Sequence, residues 1–171
     1  MKRFKMKVWS RFASLLMLCS VFLWAASFVG AQSTSESDQI SQMVSKYAQS
    51  IDAADTSVAA QVWLDSPDVS FIHPLGHEHG FDQVKQNVYK HLMGDTFSER
   101  KLSPRNISVH IFRDCAWVEF YWDFAAKLRK DGSPITTHGR ETQVYWKTKD
   151  GWRLVHVHYS GMPVTEQRQG F

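Results

Sequence analysis

Gly151-Trp152-Arg153-Leu154-Val155-His156-Val157-His158-Tyr159-Ser160-Gly161 is the stretch on which the fold turns. Aromatic and β-branched residues fill it, and these suit a pleated, half-buried surface. Side chains alternate along a strand. An unbroken period of two therefore groups Trp152, Leu154, His156 and His158 on one face, and Arg153, Val155, Val157 and Tyr159 on the other. Just upstream, Lys149-Asp150-Gly151 has hairpin-turn chemistry, as does Lys130-Asp131-Gly132. These turns delimit predicted strands over residues 135–147 and 116–128, and a further strand covers 107–112.

Further upstream the period changes. Ile40, Met43, Val44, Tyr47 and Ile51 follow the i, i+3, i+4, i+7 stripe of an amphipathic helix. Asp55 or Thr56 caps a shorter helix that buries Val58, Val62, Trp63 and Leu64, and Ser66-Pro67 breaks it. Residues 69–73 form a short strand stopped by Pro74, and residues 75–80 read as a loop. A third helix carries Phe81, Val84, Val88, Tyr89 and Leu92 and ends at Gly94-Asp95. Helices first and an antiparallel meander afterwards is an α+β pattern, with helices packed on one face of a curved sheet.

Residues 1–31 read as an export signal. Lys2, Arg3, Lys5, Lys7 and Arg11 make a basic start, residues 13–29 are apolar, and Val29-Gly30-Ala31 is a small-residue cleavage site. The expectation is a periplasmic or secreted protein cleaved after Ala31, with no membrane attachment afterwards, and a single domain over residues 32–171. Without those five basic residues, 15 Lys+Arg face 17 Asp+Glu, a net charge of −2. A nucleic-acid partner, which needs a basic face, is thereby excluded. Cys115 is the single cysteine past residue 31 and reads as a small buried hydrophobe. No nucleotide loop, nucleophile motif or cysteine pair occurs, so no cofactor is implied.

Four stretches carry a family resemblance. They are Phe71-Ile72-His73-Pro74 through Gly80-Phe81-Asp82, Asp131-Gly132-Ser133-Pro134, Glu141-Thr142-Gln143-Val144-Tyr145, and Asp150-Gly151-Trp152 with residues 155–161. Together they resemble the nuclear transport factor 2-like and SnoaL-like superfamily. The local likeness is greatest to association (hub) domains of calcium/calmodulin-dependent kinase II and their bacterial relatives. The resemblance implies a cone-shaped roll: a curved antiparallel sheet packed against N-terminal helices. It also implies sheet-to-sheet homodimers or higher oligomers. This fold hosts isomerases, dehydratases, cyclases and purely oligomerising domains, so the site must be argued separately.

Hub-domain cavities are lined by arginines, and the matching positions here are Asp123, Gln143 and Tyr159. The resemblance implies that these three face a cavity, without the carboxylate-binding character of arginine. Trp117, Glu119, Tyr121 and Asp123 share one face of the long strand and mix aromatic with ionisable groups, as small-molecule pockets do. Val118, Phe120, Trp122 and Phe124 share the other. With Val144, Trp146, Trp152 and Leu154 they make an apolar face expected to be an oligomer interface.

Asp123 is then the candidate general acid or base, its alternative being a solvated carboxylate paired with Arg140 or Lys127. Glu119 is a similar but weaker candidate. His73 either joins Asp123 in proton transfer or bonds the loop backbone. Tyr121, Tyr145 and Tyr159 orient a ligand carbonyl or simply pack. Arg153 falls on the cavity side, Arg140 does not. The pairs His77/His79 and His156/His158 could share a metal, but no third ligand is evident and no metal site is assigned. Parity puts His156 and His158 on the interface face. The functional expectation is a protein that binds a small hydrophobic or carbonyl-bearing molecule and performs cofactor-free isomerisation, dehydration or cyclisation. The alternatives are a non-catalytic binding or assembly module and a periplasmic metal binder.

Overall fold

A computed structural model describes residues 34–162 of the chain. The predicted signal segment and its cleavage point lie outside those residues. Helix α1 (Glu36–Ala53) begins where the Ser35 hydroxyl accepts from the Asp38 N–H at 3.1 Å, and buries Ile40, Val44, Tyr47 and Ile51. Asp55 caps the short α2 (Thr56–Ala59), accepting from the Ser57 N–H at 2.7 Å. Strands β1 (Ser70–His73) and β2 (Gly76–His79) form a hairpin. Helix α3 (Gly80–Gln83) runs directly into α4 (Val84–Asp95), which is wound as a π-helix and buries Val84, Val88 and Tyr89. Four longer strands follow: β3 (Phe97–Phe112), β4 (Cys115–Leu128), β5 (Pro134–Thr148) and β6 (Gly151–Gly161).

The six strands make one curved, unclosed sheet in the order β2-β1-β6-β5-β4-β3. Every pairing is antiparallel except β1 with β6, so the sheet is mixed rather than wholly antiparallel. Three segments differ from the sequence reading. The second helix, expected to carry Val62, Trp63 and Leu64, ends at Ala59, and Trp63 forms a parallel bridge to Leu154 instead. Residues 76–79, read as loop, are strand β2, because the two-residue turn Pro74-Leu75 is enough to return the chain onto β1. β3 starts at Phe97 rather than near residue 107. Its first half, Ser98-Glu99-Arg100-Lys101, is polar because β3 is an edge strand, where Pro104 is also tolerated. The end of α1 secures that edge: Asp52 accepts from the Leu102 N–H at 2.6 Å and from Lys101 Nζ at 2.8 Å.

The alternation of the last strand is interrupted. β5–β6 pairing matches Tyr145 with Leu154 but Val144 with His156, so Val155 is an extra residue in β6. Such a bulge reverses the facing of everything beyond it. Trp152 and Leu154 therefore point into the core, as do Val157 and Tyr159, while Arg153, His156 and His158 point out. Val62 and Leu64 bond to Leu154 from the side, both at 2.9 Å, where the bulge displaces the strand.

Register sets the inner face. Ala116, Tyr145 and Leu154 form one row across β4, β5 and β6, Val118, Gln143 and Val157 the next, then Phe120, Glu141 and Tyr159. Trp122 lies opposite Gly139, and a Cβ at Gly139 would come within 2.3 Å of the indole and 2.1 Å of the Ser160 carbonyl oxygen. Glycine lets the indole lie flat on the strand, stacked 4.6 Å from the Tyr159 ring.

Candidate functional site

The inner face of β5 carries an unusual alternation: Gly139, Glu141, Gln143 and Tyr145 all point into the core. Glu141 is 3% exposed, and Gln143 and Tyr145 are completely buried. Their hydrogen bonds run in one direction. The Tyr145 hydroxyl donates to Gln143 Oε1 at 2.5 Å, and Gln143 Nε2 donates to Glu141 Oε1 at 2.7 Å. A phenol donating to an amide fixes which end is oxygen, so the amide must present its N–H to the carboxyl. From α1 above, the Tyr47 hydroxyl also bonds Glu141.

Burial dominates the electrostatics. It lifts the Glu141 carboxyl to about 8, against the smaller opposing pull of the Gln143 and Tyr47 hydrogen bonds. Burial, reinforced by the nearby Glu141, likewise pushes the Tyr47 and Tyr145 phenols well above their ordinary range. Tyr159 is raised mainly by burial, with Thr137 hydrogen-bonding its hydroxyl. Deeper in the core, the Tyr89 hydroxyl lies 2.8 Å from Ser50 Oγ and accepts from Trp63 Nε1 at 3.2 Å.

Glu141 opens onto a cavity of about 220 Å³ between the sheet and the helices. Its walls are mostly apolar, including Ile51, Phe71, Met93, Phe97 and Phe124. Its polar groups come from Tyr47, His73, Thr137, Glu141 and Tyr159. A largely apolar hollow with a few converging polar groups is the form of a small-molecule site, and this volume suits a ligand smaller than the about 300–1,000 Å³ typical of drug-sized sites.

The structure brings together some of the residues singled out from sequence and separates others. His73 and Tyr159 line this cavity, and Gln143 and Tyr145 lie behind Glu141. Asp123, Glu119, Tyr121 and Trp117 do not reach it. They occupy the outer face of β4, where Asp123 accepts from Arg105 Nε at 2.9 Å with its side chain 51% exposed. An Asp123–His73 pair is therefore not formed. The partner of Asp123 is Arg105 rather than Arg140 or Lys127, and Lys127 pairs with Glu99. Glu119 and Tyr121 line a separate polar hollow of about 500 Å³ on that outer face, with Arg140 and His158.

The expected interface is also corrected. Phe120, Trp122 and Trp152 are core residues, as are Val118, Phe124 and Leu154. The error has two physical sources. Val118 pairs with Gln143 and Asp123 with His138, so Asp123 and Gln143 lie on opposite faces. A one-residue offset in register exchanges every side chain between faces. The Val155 bulge then moves Arg153 outward and Trp152 inward. Trp146, His156 and His158 point outward. Among the described residues, His77, His79, His156 and His158 share the outer face of β2, β1 and β6, yet no three metal-ligating side chains converge on an ion position.

Glu141 is the residue that sequence reading passed over. It stands two positions before Gln143 within a stretch already singled out for resemblance, and the period of two would have placed it on the same face.

The comparisons agree with this architecture. The model of the SnoaL-like domain matches residues 40–165. A nuclear transport factor 2-like superfamily protein from Salmonella enterica serovar Typhimurium is 41% identical, with a TM-score of 0.77 over 80% of this chain and 97% of that one. A dehydratase candidate of the same superfamily from Streptomyces avermitilis is 20% identical, with a TM-score of 0.68 over 75% and 98%. The association domain of C. elegans CaMKII is 19% identical, with a TM-score of 0.59 over 73% and 95%. The fold is that of the nuclear transport factor 2-like class, and the chain belongs to the SnoaL-like domain family. Among curated proteins, none matches it.

Proposed function

We propose that this chain binds a small apolar, carbonyl-bearing molecule in the inner cavity and moves protons on it without a cofactor, with Glu141 as the proton carrier. One observation carries the reading: a single carboxyl group, 3% exposed and held to about 8, on the wall of an apolar cavity. A group titrating near the working pH is well matched to general acid–base work. Gln143 occupies Oε1, so the neutral acid carries its proton on Oε2 and can donate it to a ligand oxygen. Once ionised, the same oxygen can take a proton from a carbon next to a carbonyl. Tyr159, stacked on Trp122 and reaching Thr137, orients the ligand.

The test uses 2-tetralone in deuterium oxide, following loss of the α-proton signals by NMR. The native protein is expected to accelerate exchange, and Glu141→Gln to remove the acceleration while leaving the fold intact. Exchange by the variant at the native rate sinks the assignment.

A second reading, an assembly module, has its own observation. Trp117, Tyr121 and Trp146 are 41%, 37% and 52% exposed on the outer face of β4 and β5. Large exposed aromatics on one sheet face suit a partner sheet, and a neighbouring fold is an association domain. A homodimer or larger homo-oligomer through this face would be monomerised by Trp146→Glu in analytical ultracentrifugation. We also propose export with cleavage after Ala31, on the basic and apolar pattern of residues 1–31. N-terminal sequencing of the protein from the periplasm tests it.

A further inference from the structure

His73 is held as though for a ligand that donates a hydrogen bond. Its side chain is 8% exposed, it lines the same cavity as Glu141, and its Nδ1 has no partner among the described residues. An unpaired polar atom buried this far costs stability unless something meets it. The other edge of the ring is occupied. Nε2 lies 3.4 Å from Glu78 Oε1, and Asn87 Nδ2 donates to Glu78 Oε2 at 2.5 Å. Glu78 reaches this position because β2 pairs it with Phe71, on the inner face of the hairpin, while Asn87 comes from α4. The carboxylate thus holds Nε2 as the protonated nitrogen, which leaves the lone pair on Nδ1. The Phe71 ring meets the imidazole edge-on at 5.5 Å and restricts its rotation.

We propose that His73 Nδ1 is a ligand-contacting acceptor and that the cavity selects apolar molecules bearing a hydroxyl group, whose O–H donates to it. Glu78 and Asn87 are positioning residues that set the tautomer. This rests on the cavity reading given above and deepens it: Glu141 addresses a carbonyl or other acceptor, and His73 addresses a donor. The combination favours hydroxyketones over plain ketones.

The experiment titrates the full-length protein calorimetrically with two probes of similar size, 2-naphthol and 2-fluoronaphthalene. The native protein is expected to bind 2-naphthol roughly three- to tenfold more tightly, the value of one net hydrogen bond. His73→Phe is expected to bind both probes equally. Retained preference in that variant overturns the proposal. Equal binding of both probes by the native protein also overturns it, while leaving the apolar cavity reading in place. Failure of both probes to bind removes the cavity reading and the His73 subsite together. Nitrogen-15 NMR of the native His73 ring gives a measurement independent of any variant. The Nε2–H tautomer is expected, with the Nδ1 signal moving on saturation with 2-naphthol and the tautomer losing its dominance in Glu78→Gln. A ring signal indifferent to 2-naphthol overturns the proposal.

Discussion

The inner face of β5 and the outer face of β4 are built from the same materials. One alternates Glu141, Gln143 and Tyr145; the other alternates Trp117, Glu119, Tyr121 and Asp123. Their chemistry is opposite. Glu141 lies under α1 with two fixed hydrogen bonds, and its carboxyl rises to about 8. Asp123 stands half in water against Arg105. The difference is one of solvent access rather than residue type. Water stabilises the charged form of a carboxyl, and an apolar cavity withdraws that support.

The largest effect is expected where the inner face admits no side chain at all. Gly139→Ala drives a methyl group into Trp122 and the Ser160 backbone, and should destabilise the fold by about 3 kcal/mol or more, read as a fall in thermal midpoint. Next comes pH. The folded pKa of Glu141, about 8, lies above the unfolded value of 4.5, so the native chain keeps a proton that the unfolded chain releases. Stability is therefore full below about pH 4.5 and declines as pH rises to 8, by up to several kcal/mol. Denaturant titrations from pH 5 to 8 should show this slope in the native protein and lose it in Glu141→Gln. An equal slope in both would remove the contrast between the two faces.

Tyr145→Phe withdraws the donor from the buried Gln143 carbonyl and should cost about 1–3 kcal/mol in chemical denaturation. It should also weaken the hold on Glu141, lowering any 2-tetralone exchange. Asp123→Asn is expected to do least. An exposed ion pair contributes about 0–1 kcal/mol, and the group does not reach the cavity. A large loss of exchange activity in Asp123→Asn would put the working carboxyl on the wrong face.

Much of the fold was legible because it depends on local periodicity. The α1 stripe, the two Asp-Gly hairpin turns and the long strands all appear where the pattern places them. β2 and the start of β3 were missed, since a four-residue hairpin arm and a polar edge strand leave little period-two signal. Of the site, His73, Tyr159, Gln143 and Tyr145 were legible as chemically capable residues facing inward. Glu141 stood beside them unread, and Asp123 took its role, because sequence offers no measure of which carboxylate a helix will cover.

The last strand shows where that limit lies. Its composition made it a strand and its neighbours made it part of an antiparallel meander. Composition could also divide it into alternating sets, but only while the alternation held. The extra residue at Val155 is a property of pairing with β5, visible once both strands are aligned. It turned Trp152 and Leu154 inward and kept Tyr159 on the cavity side while Arg153 left it. Sequence by itself determined the helices, the long strands, their order and the family resemblance, since propensity and turn chemistry act over a few neighbouring residues. The tertiary structure alone decided which face is buried. Burial depends on register between strands distant in sequence and on where α1 comes to rest, and burial is what raises the Glu141 carboxyl to about 8.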